Sequence, residues 1–148
     1  MPITYRDVMI ACATVALTCS VGAVAQADKN LLGPAVFDWK AMSPVANATG
    51  SVRQVVKQPT ATLDELEVHV TTLNPGASSH PPHTHPNEEM VIIRQGMVET
   101  LSGGVWKRIG PGSIIFNASN APHALRNVGK DAAIYDVINW NTAATPAA

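Results

Sequence analysis

Short apolar runs alternate with turn residues along most of the chain. In residues 66–72, Leu66, Val68 and Val70 alternate with Glu67 and His69. This period of two is typical of a β-strand with one apolar face. Seven more runs have strand-like composition and end at Gly, Pro, Asn or Ser clusters. The predicted strands cover residues 51–57, 66–72, 89–94, 97–101, 105–109, 113–116, 123–127 and 132–140.

No stretch shows sustained helical periodicity, so the pattern predicts an all-β single domain, a sandwich or barrel. We place the domain at residues 51–141. Residues 28–50 contain Pro34, Pro44 and Gly50 and are expected to form an irregular arm or a short edge element. Residues 142–148 are small and polar and are expected to be a flexible tail.

Residues 1–27 have the features of a secretory signal peptide. Arg6 gives the segment a weakly positive N-terminal region, and residues 8–25 form an uncharged run rich in Ala, Val and Leu. Ala25-Gln26-Ala27 has the small-x-small pattern of a cleavage site. We expect cleavage after Ala27 and a periplasmic or secreted protein. An uncleaved membrane anchor is the alternative, since the run is near the lower length limit for a membrane span.

Composition excludes several classes of site from the expected mature protein. Cys12 and Cys19 both fall inside the predicted signal peptide, so we expect no disulfide, no cysteine nucleophile and no thiolate ligand. The formal net charge is −1, and only 14% of residues are charged. Without a basic patch we expect no nucleic-acid partner and, after cleavage, no membrane association.

Histidines are concentrated in one short segment. His83 and His85 are two positions apart, so in an extended segment their imidazoles project from the same face and can meet one ion. Glu89 has the same parity, and either a straight strand or a bend before it can bring its carboxylate to them. His123, between a turn and a predicted strand, can close the site from another part of the chain. These four side chains form a candidate metal site.

These residues resemble the two motifs of the cupin superfamily. Of the first, G-x5-H-x-H-x3,4-E-x6-G, the chain has in register His83, His85, Glu89 and Gly96, whereas Gly76 is displaced by one residue. Of the second, G-x5-P-x-G-x2-H-x3-N, the chain has Gly112, His123 and Asn127. Ala118 and Asn120 replace the usual Pro and Gly. Those departures affect a turn, which Asn can form almost as well as Gly.

The resemblance implies a conical jelly-roll β-barrel, or double-stranded β-helix, in which His83, His85, Glu89 and His123 bind one divalent metal ion. Three imidazoles and one carboxylate suit Fe(II), Mn(II), Ni(II), Co(II), Cu(II) or Zn(II), and the ligands alone do not choose among these ions. Open coordination positions would accept water, dioxygen or a chelating substrate. The resemblance also implies a homodimer.

For other polar and aromatic residues, the sequence gives weaker support for a functional role. We interpret His80, which precedes two prolines, as an exposed loop histidine rather than a substrate contact. His69 is on the strand face opposite Leu66, so we expect it to point outward. Glu88 has the opposite parity to Glu89 and is expected to point away from the metal. The larger aromatic residues are candidates for pocket, core or dimer contacts: Trp106, Tyr135 and Trp140.

Three functions remain open. The first, which we favour, is a metal-dependent dioxygenase-type enzyme acting on a small organic molecule. The second is a non-oxidative lyase or isomerase of a sugar acid or hydroxy-carbonyl compound, in which the metal acts as a Lewis acid. The third is a non-catalytic small-molecule-binding protein. The sequence contains no recognisable separate base, so the metal itself and Glu89 are the candidates for managing protons.

Overall fold

The computed structural model describes residues 31–147, so the predicted signal peptide lies outside the described residues. The described part has one short 3-10 helix and nine strands. The helix is Trp39–Ala41, and the strands are β1 Val45–Asn47, β2 Gly50–Gln58, β3 Glu65–Leu73, β4 Glu88–Gln95, β5 Val98–Ser102, β6 Val105–Ile109, β7 Ile114–Asn117, β8 Ala124–Asn127 and β9 Ala133–Asn141.

The strands form two antiparallel sheets, which confirms the prediction of a jelly-roll fold. The larger sheet has the order β1-β2-β3-β9-β4-β7, and the smaller has the order β6-β5-β8. β9 lies between β3 and β4, so the last strand of the chain closes the centre of the larger sheet. Within residues 31–147, no helix has the length and hydropathy needed to cross a membrane.

The ends of all eight predicted strands fall within one residue of the observed ends. Turn residues set these limits. Gly76 follows β3 with a φ of 73°, and Gly103 and Gly104 connect β5 to β6 with φ of 59° and 77°. These left-handed conformations suit Gly, which has no Cβ. β1 is an additional strand at the edge of the larger sheet, in the segment expected to be an arm or edge element.

The hydrophobic core lies between the two sheets. Its largest fully buried apolar side chains are Leu73, Ile93 and Val98, each no more than 1% exposed. They come from β3, β4 and β5, so the cluster joins both sheets. Burial of apolar side chains of this size stabilises the fold by roughly 1.5–3 kcal/mol each.

The interior face of β3 is the opposite of the predicted one. Leu73 belongs to the core, and His69 and Thr71, which share its parity, line the internal cavity. Val70 is on the outer face, where its register partner Arg53 stacks against Trp39 with 4.0 Å between guanidinium carbon and ring centroid. The expectation that His69 points outward is therefore wrong. Alternation identifies two faces, but an interior that contains a polar cavity reverses the usual choice between them.

Candidate functional site

Two distant chain segments meet at the candidate site through a pair of backbone hydrogen bonds. The amide of His83 donates to the carbonyl of His123 at 3.1 Å, and the amide of His123 donates to the carbonyl of His83 at 3.0 Å. This isolated antiparallel bridge fixes the two histidines next to each other although they are far apart in sequence.

Asn120 forms the turn that brings His123 to this position. Its φ is 56°, the one positive φ among non-glycine residues in the described part of the chain. Its amide also donates to the carbonyl of His85 at 2.8 Å. Asn tolerates the left-handed conformation better than most residues. The sequence expectation that Asn120 replaces Gly in a turn is confirmed.

The side chains of His83, His85, Glu89 and His123 converge. One nitrogen from each of the three histidines lies within 4.8 Å of the others. Glu89 contacts the same group, since Oε2 is 3.9 Å from Nε2 of His85 and Oε1 is 3.9 Å from Nε2 of His123. A bend at residues 86–87 precedes β4, so Glu89 reaches the histidines by the bent geometry rather than by a straight strand.

Backbone carbonyls fix two of the imidazoles. Nδ1 of His85 lies 2.9 Å from the carbonyl oxygen of Asn87, and Nδ1 of His123 lies 2.8 Å from that of Ala121. Because a carbonyl only accepts, each Nδ1 must carry the proton, and each Nε2 keeps its lone pair. Hydrogen bonds of this kind orient histidines that ligate metals.

Two buried nitrogens in the cluster have no hydrogen-bond partner, Nε2 of His123 and Nδ1 of His83. A buried polar atom without a partner is unfavourable by roughly 1–3 kcal/mol. A cation between the imidazoles would satisfy Nε2 of His123, whose lone pair is already free. This donor set therefore fits a divalent metal ion, and the three histidines could hold one.

The cluster also favours neutral imidazole at His83. Burial lowers the pKa of His83, and the neighbouring His80, His123 and His85 lower it further, whereas a backbone hydrogen bond with His123 acts in the opposite direction. A ligating histidine must be neutral, so this environment matches the requirement for metal binding.

Asn117 positions the carboxylate of the cluster. Its side-chain amide donates to Oε1 of Glu89 at 2.7 Å, and the two residues are register partners on β7 and β4. Asn117 is only 6% exposed. A short, buried hydrogen bond to a carboxylate restricts its rotation.

A cavity of about 230 Å³ lies beside the cluster, with Glu89 and His123 in its wall. One part of the wall is apolar and includes Val91, Ile115, Leu125 and Val137. The other part is polar and includes His69, Thr71, Ser79, Thr100, Asn117 and Tyr135. A pocket of this size and mixed character suits a small molecule of a few carbon atoms.

The family model described as Cupin domain matches residues 69–138, which include both histidine segments and Glu89. The chain contains a cupin domain.

Among curated proteins, this chain is similar to the dimethylsulfoniopropionate lyase DddQ of Ruegeria pomeroyi, with 39% identity over 64 residues. The matched segment is 43% of this chain and 31% of that protein, so the chain spans under a third of the length of this relative.

Solved structures show the same fold. An RmlC-like cupin from Shewanella frigidimarina superposes with a TM-score of 0.59 and 12% identity, covering 76% of this chain and 95% of that one. The polyketide cyclase RemF from Streptomyces resistomycificus superposes with a TM-score of 0.57 and 15% identity, covering 74% and 80%. Identities this low establish the jelly-roll fold of the cupin domain and nothing finer.

Several residues of the cupin cavity were missed by sequence reasoning. His69 faces the cavity, and its parity with Leu73 at the end of the same strand was the available signal. Asn117 follows a predicted strand directly but has no motif around it. His80 is exposed, as expected, yet its ring centroid lies 3.9 Å from that of His83, and it also lines the cavity.

Tyr135 is a cavity residue of the cupin domain rather than a surface aromatic. It is 3% exposed, and its ring belongs to the core cluster. The pKa of Tyr135 is raised to about 12, mainly by burial and in smaller part by the charge of Glu89, against hydrogen bonds with Thr71 and Ser79 that lower it. Its hydroxyl therefore stays protonated near neutral pH and acts as a hydrogen-bond donor.

Three charged side chains outside the cluster have other partners. Glu88 accepts from Nε1 of Trp140 at 3.1 Å, which confirms that it points away from the site. Arg94 pairs with Asp136 at 2.6 Å. Arg126 pairs with Glu99 at 2.6 Å and stacks over Trp106.

Proposed function

We propose that this chain is a divalent-metal-dependent lyase that acts on a small carboxylate without consuming oxygen. The observation that carries the proposal is the buried, unpartnered Nε2 of His123, which faces Glu89 and the other two histidines beside a small cavity. The similarity to a lyase over 64 residues supports the reaction class.

His83, His85, Glu89 and His123 would hold the ion, with Nε2 as the ligating atom of His85 and His123. A divalent ion there would act as a Lewis acid on a carboxylate or carbonyl oxygen of the substrate. Asn117 would keep Glu89 oriented, and the backbone carbonyls of Asn87 and Ala121 would keep two imidazoles in the ligating tautomer. The candidates for the metal are Fe, Mn, Ni, Cu and Zn, among which the ligands do not choose.

Cavity size limits the substrate. A volume of about 230 Å³ admits a short-chain acid but not a polymer or a large polycyclic molecule. The apolar wall can contact the carbon chain, and the protonated hydroxyl of Tyr135 can donate to an oxygen. Dimethylsulfoniopropionate, a short acid with a sulfonium leaving group, is the first substrate to test.

The experiment uses protein loaded separately with Zn(II), Mn(II) and Fe(II) under anaerobic conditions. Dimethyl sulfide is followed by gas chromatography and acrylate by proton NMR. Turnover with at least one ion, abolished in His83→Ala, supports the proposal. If several short-chain carboxylates are bound but none is converted, the lyase proposal is wrong.

A dioxygenase-type enzyme is the second candidate, because three imidazoles and a carboxylate also hold Fe(II) and Cu(II) with positions open for dioxygen. Oxygen-electrode traces with catechols, flavonols or diketones separate the two. Product that forms only in air and only with a redox-active ion would favour the dioxygenase proposal over the lyase proposal. A ligand that binds tightly and is recovered unchanged would indicate a binding protein.

Localisation and assembly stay predictions. A mature N-terminus at Asp28, read by mass spectrometry of protein from the periplasm or medium, would support export. For homodimerisation, pairing through a sheet edge would have to use β1 or β7 of the larger sheet, or β6 or β8 of the smaller sheet. Sedimentation velocity at micromolar concentration tests for the dimer, and a monomer would contradict it.

A further inference from the structure

A second polar group faces the cavity away from the metal cluster, on β3. His69 lines the cavity, and its Nδ1 is buried without a hydrogen bond. Oε1 of Glu67 lies 3.4 Å from that nitrogen. The other oxygen of Glu67 accepts from Nζ of Lys57 at 2.9 Å, which holds the carboxylate in place.

The carboxylate of Glu67 determines which nitrogen of the His69 imidazole carries the proton. A carboxylate next to Nδ1 favours the tautomer with the proton on Nδ1, which leaves the lone pair of Nε2 free. A distance of 3.4 Å is long for a hydrogen bond, but such contacts shorten when substrate binds. His69 therefore has the features of a general base with an orienting carboxylate.

Strand register relates His69 to the metal cluster. His69 is the register partner of Val137, which is in turn the partner of Val91, and Glu89 is two residues from Val91 on the same face. Strand spacing and rise place the Cα atoms of His69 and Glu89 roughly 12 Å apart. Inward-pointing side chains from both positions leave room for a short molecule between them.

Tyr135 lies on β9, the strand between β3 and β4, but does not suit the role of a base. A hydroxyl that stays protonated to about pH 12 donates hydrogen bonds at neutral pH and does not take protons. Histidine is the side chain whose ordinary range suits proton transfer near neutral pH. Outside the metal cluster, the described wall of this cavity contains His69, which is half-buried, and His80, which is exposed.

We propose that His69, oriented by Glu67, is the acid–base residue for a small carboxylate held at the metal cluster. Nε2 takes the proton from the carbon next to the carboxylate, and the C–H electron pair forms the new C=C bond. The electron pair of the adjacent carbon–sulfur bond leaves with the neutral sulfide, and the proton passes from His69 to water. This inference rests on the proposed function.

His69→Gln and Glu67→Gln test the role in the Zn-loaded full chain, with Lys107→Gln on the exposed strand β6 as the control. We expect His69→Gln to lower kcat for dimethylsulfoniopropionate by roughly 10²–10⁴-fold. Metal content and KM should change little. Glu67→Gln should lower kcat by roughly 10–100-fold. A kcat in His69→Gln equal to wild type overturns the proposal.

A second readout separates this inference from the proposed function. If the wild type converts no substrate, propionate is titrated into Zn-loaded protein carrying ¹⁵N-histidine. Shifts in the His69 ring signals, absent in the His83→Ala/His85→Ala variant, would support His69 facing a metal-held carboxylate even though the lyase proposal fails. No response at His69 would overturn the inference.

Discussion

The side-chain amide of Asn117 donates a 2.7 Å hydrogen bond to Oε1 of Glu89, and the same oxygen lies 3.9 Å from Nε2 of His123. One amide on β7 thereby sets the position of a carboxylate on β4 relative to an imidazole that precedes β8. The candidate metal site thus depends on β4 and β7 of the larger sheet and on the residue before β8 of the smaller sheet, rather than on the histidine-rich segment alone.

Asn117→Ala should weaken metal binding by roughly 10–100-fold, because Glu89 loses the donor that orients it. Chelator competition with Zn(II) measures the change. Asn47→Ala, on the edge strand β1, removes an amide that does not contact Glu89 and serves as the control. Equal Zn(II) affinities for Asn117→Ala and wild type would show that Glu89 is held by other contacts or does not ligate.

Asn127 should contribute to stability without affecting the metal. It is 2% exposed, and its side chain makes three hydrogen bonds, to the carbonyls of Leu73 and Asp131 and from the amide of Gly129, each 2.9 Å long. Asn127→Ala leaves these groups unpaired and should lower the free energy of unfolding by about 2–4 kcal/mol.

Urea unfolding measures this loss, with Asn74→Ala at an exposed turn as the matched control. The control should change the free energy of unfolding by less than about 0.5 kcal/mol. If Asn127→Ala matched the control, the buried amide would not be the main support of this turn.

Gly96 and Gly103 provide a paired test of crowding. Both have positive φ, 85° and 59°, but a Cβ at Gly96 would lie 2.8 Å from Cα of Ala133, whereas a Cβ at Gly103 meets nothing within 4 Å. Gly103→Ala should lower the free energy of unfolding by about 1–2 kcal/mol, the cost of the left-handed conformation.

Gly96→Ala should add about 1–3 kcal/mol to that loss, because backbone atoms must move. Thermal and urea unfolding of the two variants give the difference directly. Equal losses would mean that β9 shifts freely near Ala133, contrary to the packing described above.

The raised pKa of Tyr135 predicts a loss of stability at high pH. The pKa in the folded protein is about 12 and the ordinary value is 10.0, so the folded state holds the proton more tightly. This contribution is complete below about pH 10 and disappears as the pH rises toward about 12. At about 1.4 kcal/mol per pH unit, the total is about 2–3 kcal/mol.

Tyr135→Phe has no ionisable hydroxyl and should lack this component of the pH dependence. Unfolding free energies of wild type and variant, measured from about pH 9 to about pH 11.5, supply the comparison. If the unfolding free energies of wild type and Tyr135→Phe changed with pH in parallel, the Tyr135 hydroxyl would be accessible to water in the folded protein.

The strands were predictable because the turns between them contain residues that are characteristic of turns. Gly76, Gly103 and Gly112 take conformations that other residues avoid, and each lies outside a strand as the sequence indicates. The convergence of His83, His85, Glu89 and His123 followed from two short motifs whose spacing resembles a known family. Both kinds of inference depend on neighbours in sequence.

The cavity was not predictable in the same way. Which face of β3 points inward depends on its pairing with β9, and alternation alone assigned it wrongly. The hydrogen bond from Asn117 to Glu89 joins residues 28 positions apart, and the cavity that His69 lines is formed by several strands. No local pattern encodes these distances, so the acid–base candidate became visible only in the folded chain.

The most direct test of the account is elemental analysis of the mature protein, purified without chelator or affinity metal, beside the His83→Ala/His85→Ala variant. The account predicts about one equivalent of a divalent metal in the wild type and none in the variant. Circular dichroism would check that the variant is folded. A metal-free wild type that takes up none of Fe(II), Mn(II), Ni(II), Cu(II) or Zn(II) on reconstitution would contradict it.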